Sequence, residues 1–258
     1  MDQVNPCGCD HDRTCNHHRG CDGPGGCDDD GDGDGTRRAL VIGAHPDDNE
    51  VGCGGTTAKL ADQGWEVTYI TCTNGNKGSH DPHLSGYQLS EIREREQQDA
   101  AVILGVQRVI FLRYNDGELE ATPALRAEMA IYIRHFKPHL LYTHDPWRPY
   151  MLHPDHRAVG FAVIDGVVSA RDHLYLPGLG QIGLTAWRPH YLYLWSADRP
   201  DYTEDISDTL ERKMAALEAH RSQITETSDW IPRMRQRAEA QGQAADCQAG
   251  EAFRQLNL

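Results

Sequence analysis

The chain has 258 residues and a formal net charge of −14, with 25 Lys and Arg against 39 Asp and Glu. This length suits one sizeable domain, and the acidic balance argues against a sequence-independent nucleic-acid binder, which needs basic surface for phosphates. No apolar run approaches the ~18 residues that span a bilayer, and the N-terminus has no apolar stretch of the signal-peptide type, so we expect a cytoplasmic protein without a transmembrane segment.

The first 35 residues have a composition of their own. They hold nine Asp and five of the eight Cys of the chain, and large apolar side chains are scarce among them. Such a segment cannot build a core. We therefore predict a disordered acidic leader over residues 1–35, rich in Cys, His and Gly, and one α/β domain over residues 36–258. Metal binding by the Cys and His side chains of the leader is the alternative that its composition leaves open.

From residue 36 onward, apolar runs that indicate strands alternate with amphipathic runs that indicate helices. In chain order we predict strand 39–43, helix 54–63, strand 65–72, helix 90–104 with Ser90 as N-cap, strand 108–112, helix 123–136, strand 139–143, helix 156–169, strand 191–195 and a closing helix 206–223. Parallel strands need crossover connections, which are usually helical. The predicted fold class is therefore α/β, a Rossmann-like and mostly parallel sheet with helices on both faces.

Polar side chains follow the predicted strands at the points where the strands end. His45, Asp47 and Asp48 come directly after the first strand, and His153 and His156 lie about a hundred residues later. Because ligands gather at the carboxyl ends of the strands in such sheets, we expect these side chains to meet. Together they supply a divalent metal with ligands and leave a carboxylate for proton transfer. A catalytic zinc has three protein ligands and one open position, and the residue types alone leave open which side chains these are.

Three glycines close to this motif have two interpretations. Gly52, Gly54 and Gly55 could form a phosphate-binding loop, but the spacing of a dinucleotide-binding motif is absent. We therefore predict that they allow close packing of the chain. Glu50 likewise either orients a metal ligand from behind or favours the start of a helix, and we prefer the first interpretation.

A series of motifs resembles the zinc-dependent amino-sugar N-deacetylases, the family that includes the N-acetylglucosaminyl-phosphatidylinositol deacetylase type (PIG-L, LmbE-like). The similar segments occur in order over about residues 39–223. They are His45-Pro-Asp-Asp48 with the glycines up to Gly55, Lys77-Gly78, Arg93 with Glu96, Leu104-Gly-Val106, Asn115-Asp-Gly117, Asp145-Pro146, His153-Pro-Asp-His156 and a closing segment 213–223.

The resemblance implies a set of roles for the residues around the metal. Zinc, or iron in its place since N and O ligands discriminate weakly between them, would be held by His45, Asp48 and His156. Asp47 would act as general base, and His153 would polarise the carbonyl group of the substrate. These assignments come from the family and not from the spacing of the residues.

The resemblance also implies a substrate class and a reaction. Arg93 and Asp116 are expected to contact sugar hydroxyls, and the enzyme is expected to remove an N-acetyl group from an N-acetylglucosamine-containing small molecule or glycoconjugate. The partners expected are thus a small amino-sugar substrate, no nucleic acid, and a second copy of the chain if the protein is a homo-oligomer. Two alternatives remain, an amidase that cleaves a larger N-acyl thiol-cofactor conjugate and a non-catalytic metal-binding protein.

Overall fold

A computed structural model of the chain describes residues 35–224 and 229–258. All but the last residue of the predicted leader therefore lies outside the described residues. The helices that are described include none that is both long and apolar enough to cross a membrane.

Seven strands and seven α-helices form the described fold. In chain order they are β1 (Arg38–Gly43), α1 (Asp48–Asp62), β2 (Glu66–Thr73), α2 (Gly86–Leu104), β3 (Arg108–Tyr114), α3 (Pro123–Phe136), β4 (Leu140–His144), α4 (Pro154–Arg171), α5 (Gly178–Gln181), β5 (Tyr191–Trp195), β6 (Tyr202–Asp205), α6 (Leu210–Glu218), a 3-10 helix (Arg221–Gln223), α7 (Trp230–Gln243) and β7 (Gly250–Asn257).

The strands form one sheet in the order β3-β2-β1-β4-β5-β7-β6. Pairing is parallel from β3 to β5, whereas β7 runs antiparallel to both β5 and β6. The predicted mostly parallel Rossmann-like sheet is confirmed. The strand order reverses between β1 and β4, and in open α/β sheets the crevice beyond the carboxyl ends at such a point is where ligands bind.

Alternate residues of the strands face different helix layers. Leu40 and Ile42 of β1 belong to a core that includes Met129 of α3 and Val163 of α4. Ala39 and Val41 belong to the opposite core, with residues of α1, α2 and α6. Helices thus cover both faces, as the continuous apolar strands predict for a parallel sheet.

Two predicted helix starts are wrong. α1 begins at Asp48 rather than at residue 54, with a kink at Cys53, whose φ is −150°. α2 begins at Gly86, and its N-cap is Ser85, not Ser90: Ser85 accepts from the amide of Gln88 while the Gln88 side chain accepts from the amide of Ser85. This reciprocal capping box satisfies two amides that the first helical turn leaves free.

The C-terminal third of the chain differs most from the prediction. The single closing helix is wrong, since α6 ends at Glu218 and the 3-10 helix follows. Strands β6 and β7 and helix α7 were not predicted. β7 places Glu251 in the interior, where its carboxylate accepts from the amides of Gly55 and Thr56 and from Lys213. A buried ion pair breaks the apolar alternation by which a strand is recognised.

The glycines of α1 serve close packing, as predicted. A Cβ atom on Gly52 would overlap the ring of Trp195, and one on Gly55 would lie 2.6 Å from Cδ1 of Ile206. The helix therefore rests directly on β5 and on the segment before α6.

We expect Gly52→Ala to destabilise the protein by about 1–3 kcal/mol, because an added methyl group in a filled core forces the ring of Trp195 to move. The urea midpoint of unfolding should fall with an unchanged m value. Gly180→Ala is the matched control, since a Cβ atom there meets nothing within 4 Å. Equal midpoints for the two variants would contradict the packing argument.

Candidate metal centre

The turn after β1 places three polar side chains at the carboxyl edge of the sheet. Asp47 occupies the N-cap of α1 with φ of 113°, a conformation that is uncommon for a residue with a side chain. Asp48 follows in the first helical turn, and its carboxylate accepts from the amide of His45 at 2.7 Å. The turn thereby holds His45 and the two carboxylates close together.

The donor atoms of three residues lie close together, and we call these residues the ligand triangle: His45, Asp48 and His156. His45 Nδ1 lies 3.1 Å from Asp48 Oδ2 and 3.1 Å from His156 Nε2, and His156 Nε2 lies 3.2 Å from Asp48 Oδ1. A tetrahedral cation with bonds of about 2.0–2.1 Å has donor-to-donor edges of roughly 3.3 Å. Hydrogen bonds alone account poorly for this arrangement, because Nδ1 of His45 carries at most one proton for two neighbours. The donors therefore fit a metal ion.

The far side of the His45 ring contacts carboxylates. Nε2 lies 3.1 Å from Asp155 Oδ2 and 3.2 Å from Asp116 Oδ1. Asp155 is fully buried and accepts from the amides of Gly117 at 2.7 Å and Leu119 at 3.1 Å. Burial lowers the pKa of His45, but the contacts with Asp116, Asp155 and Asp48 outweigh it and raise that pKa.

The contact between Asp155 and the ring of His45 gives Asp155 a role that was not predicted from the sequence. A carboxylate behind a metal-binding histidine fixes the ring and its proton. Asp155 lies between His153 and His156 in the sequence, but an acidic residue in the first turn of a helix is common without such a role.

Three other groups of side chains in the described part of the chain, each sharing members with the ligand triangle, could also hold a cation. They are His45 with His153 and His156; His45 with Asp116, His153 and Asp155; and Asp48 with His144 and His156. The second group lies on the Nε2 side of His45, where Asp155 already accepts from two backbone amides and His153 Nε2 is 3.7 Å from Asp116 Oδ1. In the ligand triangle, on the Nδ1 side, all three distances are 3.1–3.2 Å.

His144 contacts two members of the ligand triangle. It follows the fourth predicted strand, and the sequence alone indicated no role for it beyond a structural one. Trp195 Nε1 lies 3.1 Å from its Nδ1, and the amide of Ala44 lies 3.3 Å from its Nε2. Since neutral imidazole accepts on one nitrogen only, the shorter Trp195 contact places the proton on Nε2, which is 3.4 Å from Asp48 Oδ2. The ring also stacks on that of His156, with 4.3 Å between centroids. Burial lowers the pKa of His144 to about 4, so the ring is neutral.

Asp47 lies beside the ligand triangle and is held from two sides. Its Oδ2 accepts from Arg93 Nη2 at 3.1 Å, and its amide donates to Gln97 Oε1 at 3.1 Å. Burial raises the pKa of the Asp47 carboxyl, although the positive charge of Arg93 opposes this. In contrast, the pKa of Asp48 is well below its usual range, because His156 and His144 outweigh the effect of burial.

Arg93 is buried against the turn that carries Asp47, and 3% of the residue is exposed. The guanidinium donates to the carbonyl oxygens of Pro46 at 2.6 Å and Gly75 at 3.1 Å, as well as to Asp47. These contacts hold Arg93 against the turn after β1, and its contact with a sugar hydroxyl stays a prediction.

Glu50 is completely buried, but its contacts are not with a metal ligand. It accepts from Gln97 Nε2 at 2.7 Å and lies 3.2 Å from His220 Nε2. Burial lowers the pKa of His220, and the contact with Glu50 more than reverses this. Glu50 therefore supports Asp47 through Gln97, and the interpretation that it orients a metal ligand is wrong.

His153 lies on the open side of the cluster, beside the buried carboxylate of Asp116. The His153 ring meets that of His45 edge to face, with centroids 4.4 Å apart. Its Nε2 is 3.7 Å from Asp116 Oδ1, and its side chain is 40% exposed. Burial lowers the pKa of His153, as do the neighbouring histidines, while Asp155 and Asp116 oppose this. Asp116 also accepts from the amide of Lys77 at 3.4 Å, so the structure brings both residues to the predicted site.

Comparisons with known proteins find similarity to de-N-acetylases. Residues 40–167 match the family described as PIG-L, GlcNAc-PI de-N-acetylase. The diacetylchitobiose deacetylase of Thermococcus kodakarensis is 38% identical over 205 residues, which are 77% of this chain and 75% of that protein.

Two solved structures superpose on most of this chain. The N,N'-diacetylchitobiose deacetylase from Pyrococcus horikoshii, complexed with its inhibitor MPG, superposes with a TM-score of 0.82 at 35% identity, over 86% of this chain and 85% of that one. The 4-carboxy-2-hydroxymuconate hydratase GalB of Pseudomonas putida superposes with a TM-score of 0.76 at 20% identity, over 86% of this chain and 97% of that one. The latter likeness shows the fold alone, and it means that the function must be argued from the site.

Proposed function

Because the chain belongs to the PIG-L family of de-N-acetylases, we propose that it hydrolyses the acetamide of an N-acetylglucosamine unit in a small molecule or glycoconjugate. The observation that carries the proposal is the ligand triangle beside Asp47: three donors with edges of 3.1–3.2 Å, next to a partly buried carboxyl group. The family's deacetylases are metal-dependent, and the donor set of this chain suits zinc, with iron as an alternative.

We assign the metal to His45 Nδ1, Asp48 and His156 Nε2. When bound, zinc lowers the pKa of a water molecule and polarises a carbonyl group. The surrounding residues hold the three ligands in place: Asp155 fixes the ring of His45 from its Nε2 side, and His144 contacts Asp48 and His156. The site is therefore ordered before a substrate binds.

Asp47 is the proposed general base. Burial raises its pKa, which makes the carboxylate a better proton acceptor near neutral pH. It takes a proton from the attacking water, and the carboxylic acid so formed then protonates the departing amine. Arg93 and Gln97 orient Asp47 for both steps.

His153 is the proposed stabiliser of the carbonyl oxygen. It is partly exposed, so its ring can reach a bound substrate. A hydrogen bond from the ring to the carbonyl oxygen strengthens as negative charge develops there. Burial and the neighbouring histidines lower the pKa of the ring, and the Asp116 carboxylate opposes this. Asp116 is thus proposed to act on His153 in addition to its predicted contact with a sugar hydroxyl.

Arg93 is proposed as a positioning residue. We expect Arg93→Lys to lower kcat by about 10–100-fold with KM changed much less, because lysine keeps the charge but cannot make the forked contacts of guanidinium. Steady-state kinetics on an N-acetylglucosamine conjugate separate the two constants. Arg95→Lys, on the exposed side of the same helix, is the matched control. A rise in KM at unchanged kcat would instead support the predicted contact with a sugar hydroxyl.

The most direct experiment on the reaction uses a panel of N-acetylated glucosamine conjugates. The purified zinc form should release acetate and primary amine in equal amounts. Release of a longer carboxylate from N-acyl conjugates, without acetate release, would favour the amidase. Tight metal binding without turnover of any conjugate would favour the non-catalytic metal-binding protein.

We further propose that the catalytic domain spans residues 36–258. The functional side chains discussed above all lie within it. Deletion of residues 1–35 should therefore leave kcat and KM unchanged, measured on the same conjugate as the full chain. A loss of turnover that added zinc does not restore would contradict this boundary. The cytoplasmic location and the homo-oligomer stay predictions.

A further inference from the structure

A groove lined by arginines lies outside the metal centre. It is a cavity of about 540 Å³ between helix α7 and the segment that follows β5. We call it the arginine groove. Its lining contains three arginines and, among the residues described, no carboxylate: Arg148, Ser196, Ala197, Pro200, Arg233, Met234, Gln236, Arg237, Ala240, Gln241 and Ala252. In a chain of net charge −14 this is a local excess of positive charge.

The arginine groove begins at the same edge of the sheet as the metal centre. Ser196 directly follows β5, and Arg148 lies four residues after His144, the last residue of β4. β4 and β5 are parallel neighbours in which His144 pairs with Trp195. Four residues of extended chain span at most roughly 14 Å, so Arg148 is within reach of a group attached to a molecule bound at the metal centre.

Arg237 and Arg148 form no ion pair with a carboxylate in the parts of the chain that are described. Arg237 is half-buried and donates to the hydroxyl of Ser196 at 3.1 Å. Burial lowers the pKa of its guanidinium, and the charge of Arg148 lowers it further, while the charge of Glu251 opposes both effects. Arg148 is exposed, and no side-chain partner for it occurs in the parts of the chain that are described. Arg233, in contrast, has Asp229 at 3.7 Å.

Glu251 acts on Arg237 only from beyond ion-pair distance, and its own charge is already paired. Glu251 is 2% exposed. Its oxygens accept from Lys213 and from the amides of Gly55 and Thr56. A partly buried charge that faces a like charge and has one neutral partner is unfavourable unless an opposite charge joins it. The planar guanidinium fork matches the two oxygens of a carboxylate or phosphate.

We propose that the arginine groove binds an oxyanion group, a phosphate or a carboxylate, through Arg237 and Arg148. Such a group can belong to the part of the substrate beyond its N-acetylglucosamine unit or can be a free anion. The substrate-borne case rests on the proposed function, whereas anion binding itself does not.

The first arm of the test measures binding of inorganic phosphate to the zinc-loaded protein by calorimetry. Wild type should bind phosphate saturably, and Arg237→Gln should weaken this by on the order of 10-fold or more. Arg148→Gln, on an exposed loop, should weaken it as well and guards against misfolding of the first variant. Arg188→Gln removes an exposed arginine elsewhere and should bind like wild type. Equal phosphate affinity in wild type, Arg237→Gln and Arg148→Gln would overturn the proposal. That result is expected if phosphate binds at the metal and not in the arginine groove.

The second arm identifies where the oxyanion comes from. KM is measured for neutral N-acetylglucosamine conjugates and for conjugates that carry a phosphate or a carboxylate. If the oxyanion belongs to the substrate, wild type should have a lower KM for the charged conjugates than for the neutral ones. Arg237→Gln should reduce this preference by about 10-fold, and Arg188→Gln should keep it. Equal KM values together with phosphate binding in the first arm identify a free anion as the ligand. Absence of turnover with every conjugate would count against the proposed function and leave the first arm intact.

Discussion

The Asp47→Asn variant is expected to lose on the order of 10²–10⁴-fold in kcat while it keeps its metal and its fold. Asparagine has the same shape and still accepts from Arg93, but it cannot take a proton from water. The carboxyl group of Asp47 is partly buried, which raises its pKa, and it lies beside the ligand triangle without being part of it. Acetate release, zinc content and the urea midpoint of unfolding together test this expectation.

A matched control for Asp47→Asn is Asp99→Asn on the exposed side of α2. It makes the same chemical change far from the metal-binding turn and should behave like wild type. Asp47→Asn with more than half of the wild-type kcat would show that another group acts as the base. Loss of zinc from Asp47→Asn would show instead that Asp47 is itself a ligand.

The Asp48→Asn variant is expected to lose both the metal and the activity. The pKa of Asp48 lies well below its usual range, so the native carboxylate is ionised and ready to bind a cation. An amide removes this charge from between two imidazoles. The loss of zinc affinity should exceed the roughly 10–100-fold that changes behind the ligands produce. Zinc content after dialysis against a graded series of chelator concentrations measures it.

The control for Asp48→Asn separates the two sides of the His45 ring. Asp116→Asn makes the same change on the Nε2 side, 3.2 Å from the ring. If the metal occupies the ligand triangle, Asp116→Asn keeps zinc near wild-type affinity and reduces turnover. The reverse pattern, zinc lost from Asp116→Asn and kept by Asp48→Asn, would place the metal among His45, Asp116, His153 and Asp155.

The sequence was sufficient for the parallel part of the fold and insufficient for the C-terminal part, and the difference has a physical cause. Strands β1, β2, β4 and β5 are mostly buried on both faces. Together with β3 they appear as apolar runs, so the order of these strands with the helices could be predicted. β7 carries Glu251 inside the protein, where Lys213 and two amides neutralise it. α7 is mostly polar, so few apolar residues mark it as a packed helix. Elements of this kind are recognised from tertiary contacts.

The same distinction applies to the site. The proximity of His45, Asp48 and His156 could be predicted, because strand ends on one edge of a parallel sheet converge. The contacts that hold these three residues in place could not be predicted. Asp155 depends on the amides of Gly117 and Leu119, which a distant loop provides. Arg93 occurs in a helix rich in Arg and Glu and has the appearance of a solvated charge, and its burial against Asp47 follows from how α2 packs.

Anomalous diffraction at the zinc edge from crystals of the zinc-loaded protein shows directly which side chains bind the metal. We expect one strong peak about 2.0–2.2 Å from His45 Nδ1, from a carboxylate oxygen of Asp48 and from His156 Nε2. A peak on the Nε2 side of His45, bound by Asp116 or Asp155, would contradict this expectation, as would zinc bound only outside residues 36–258.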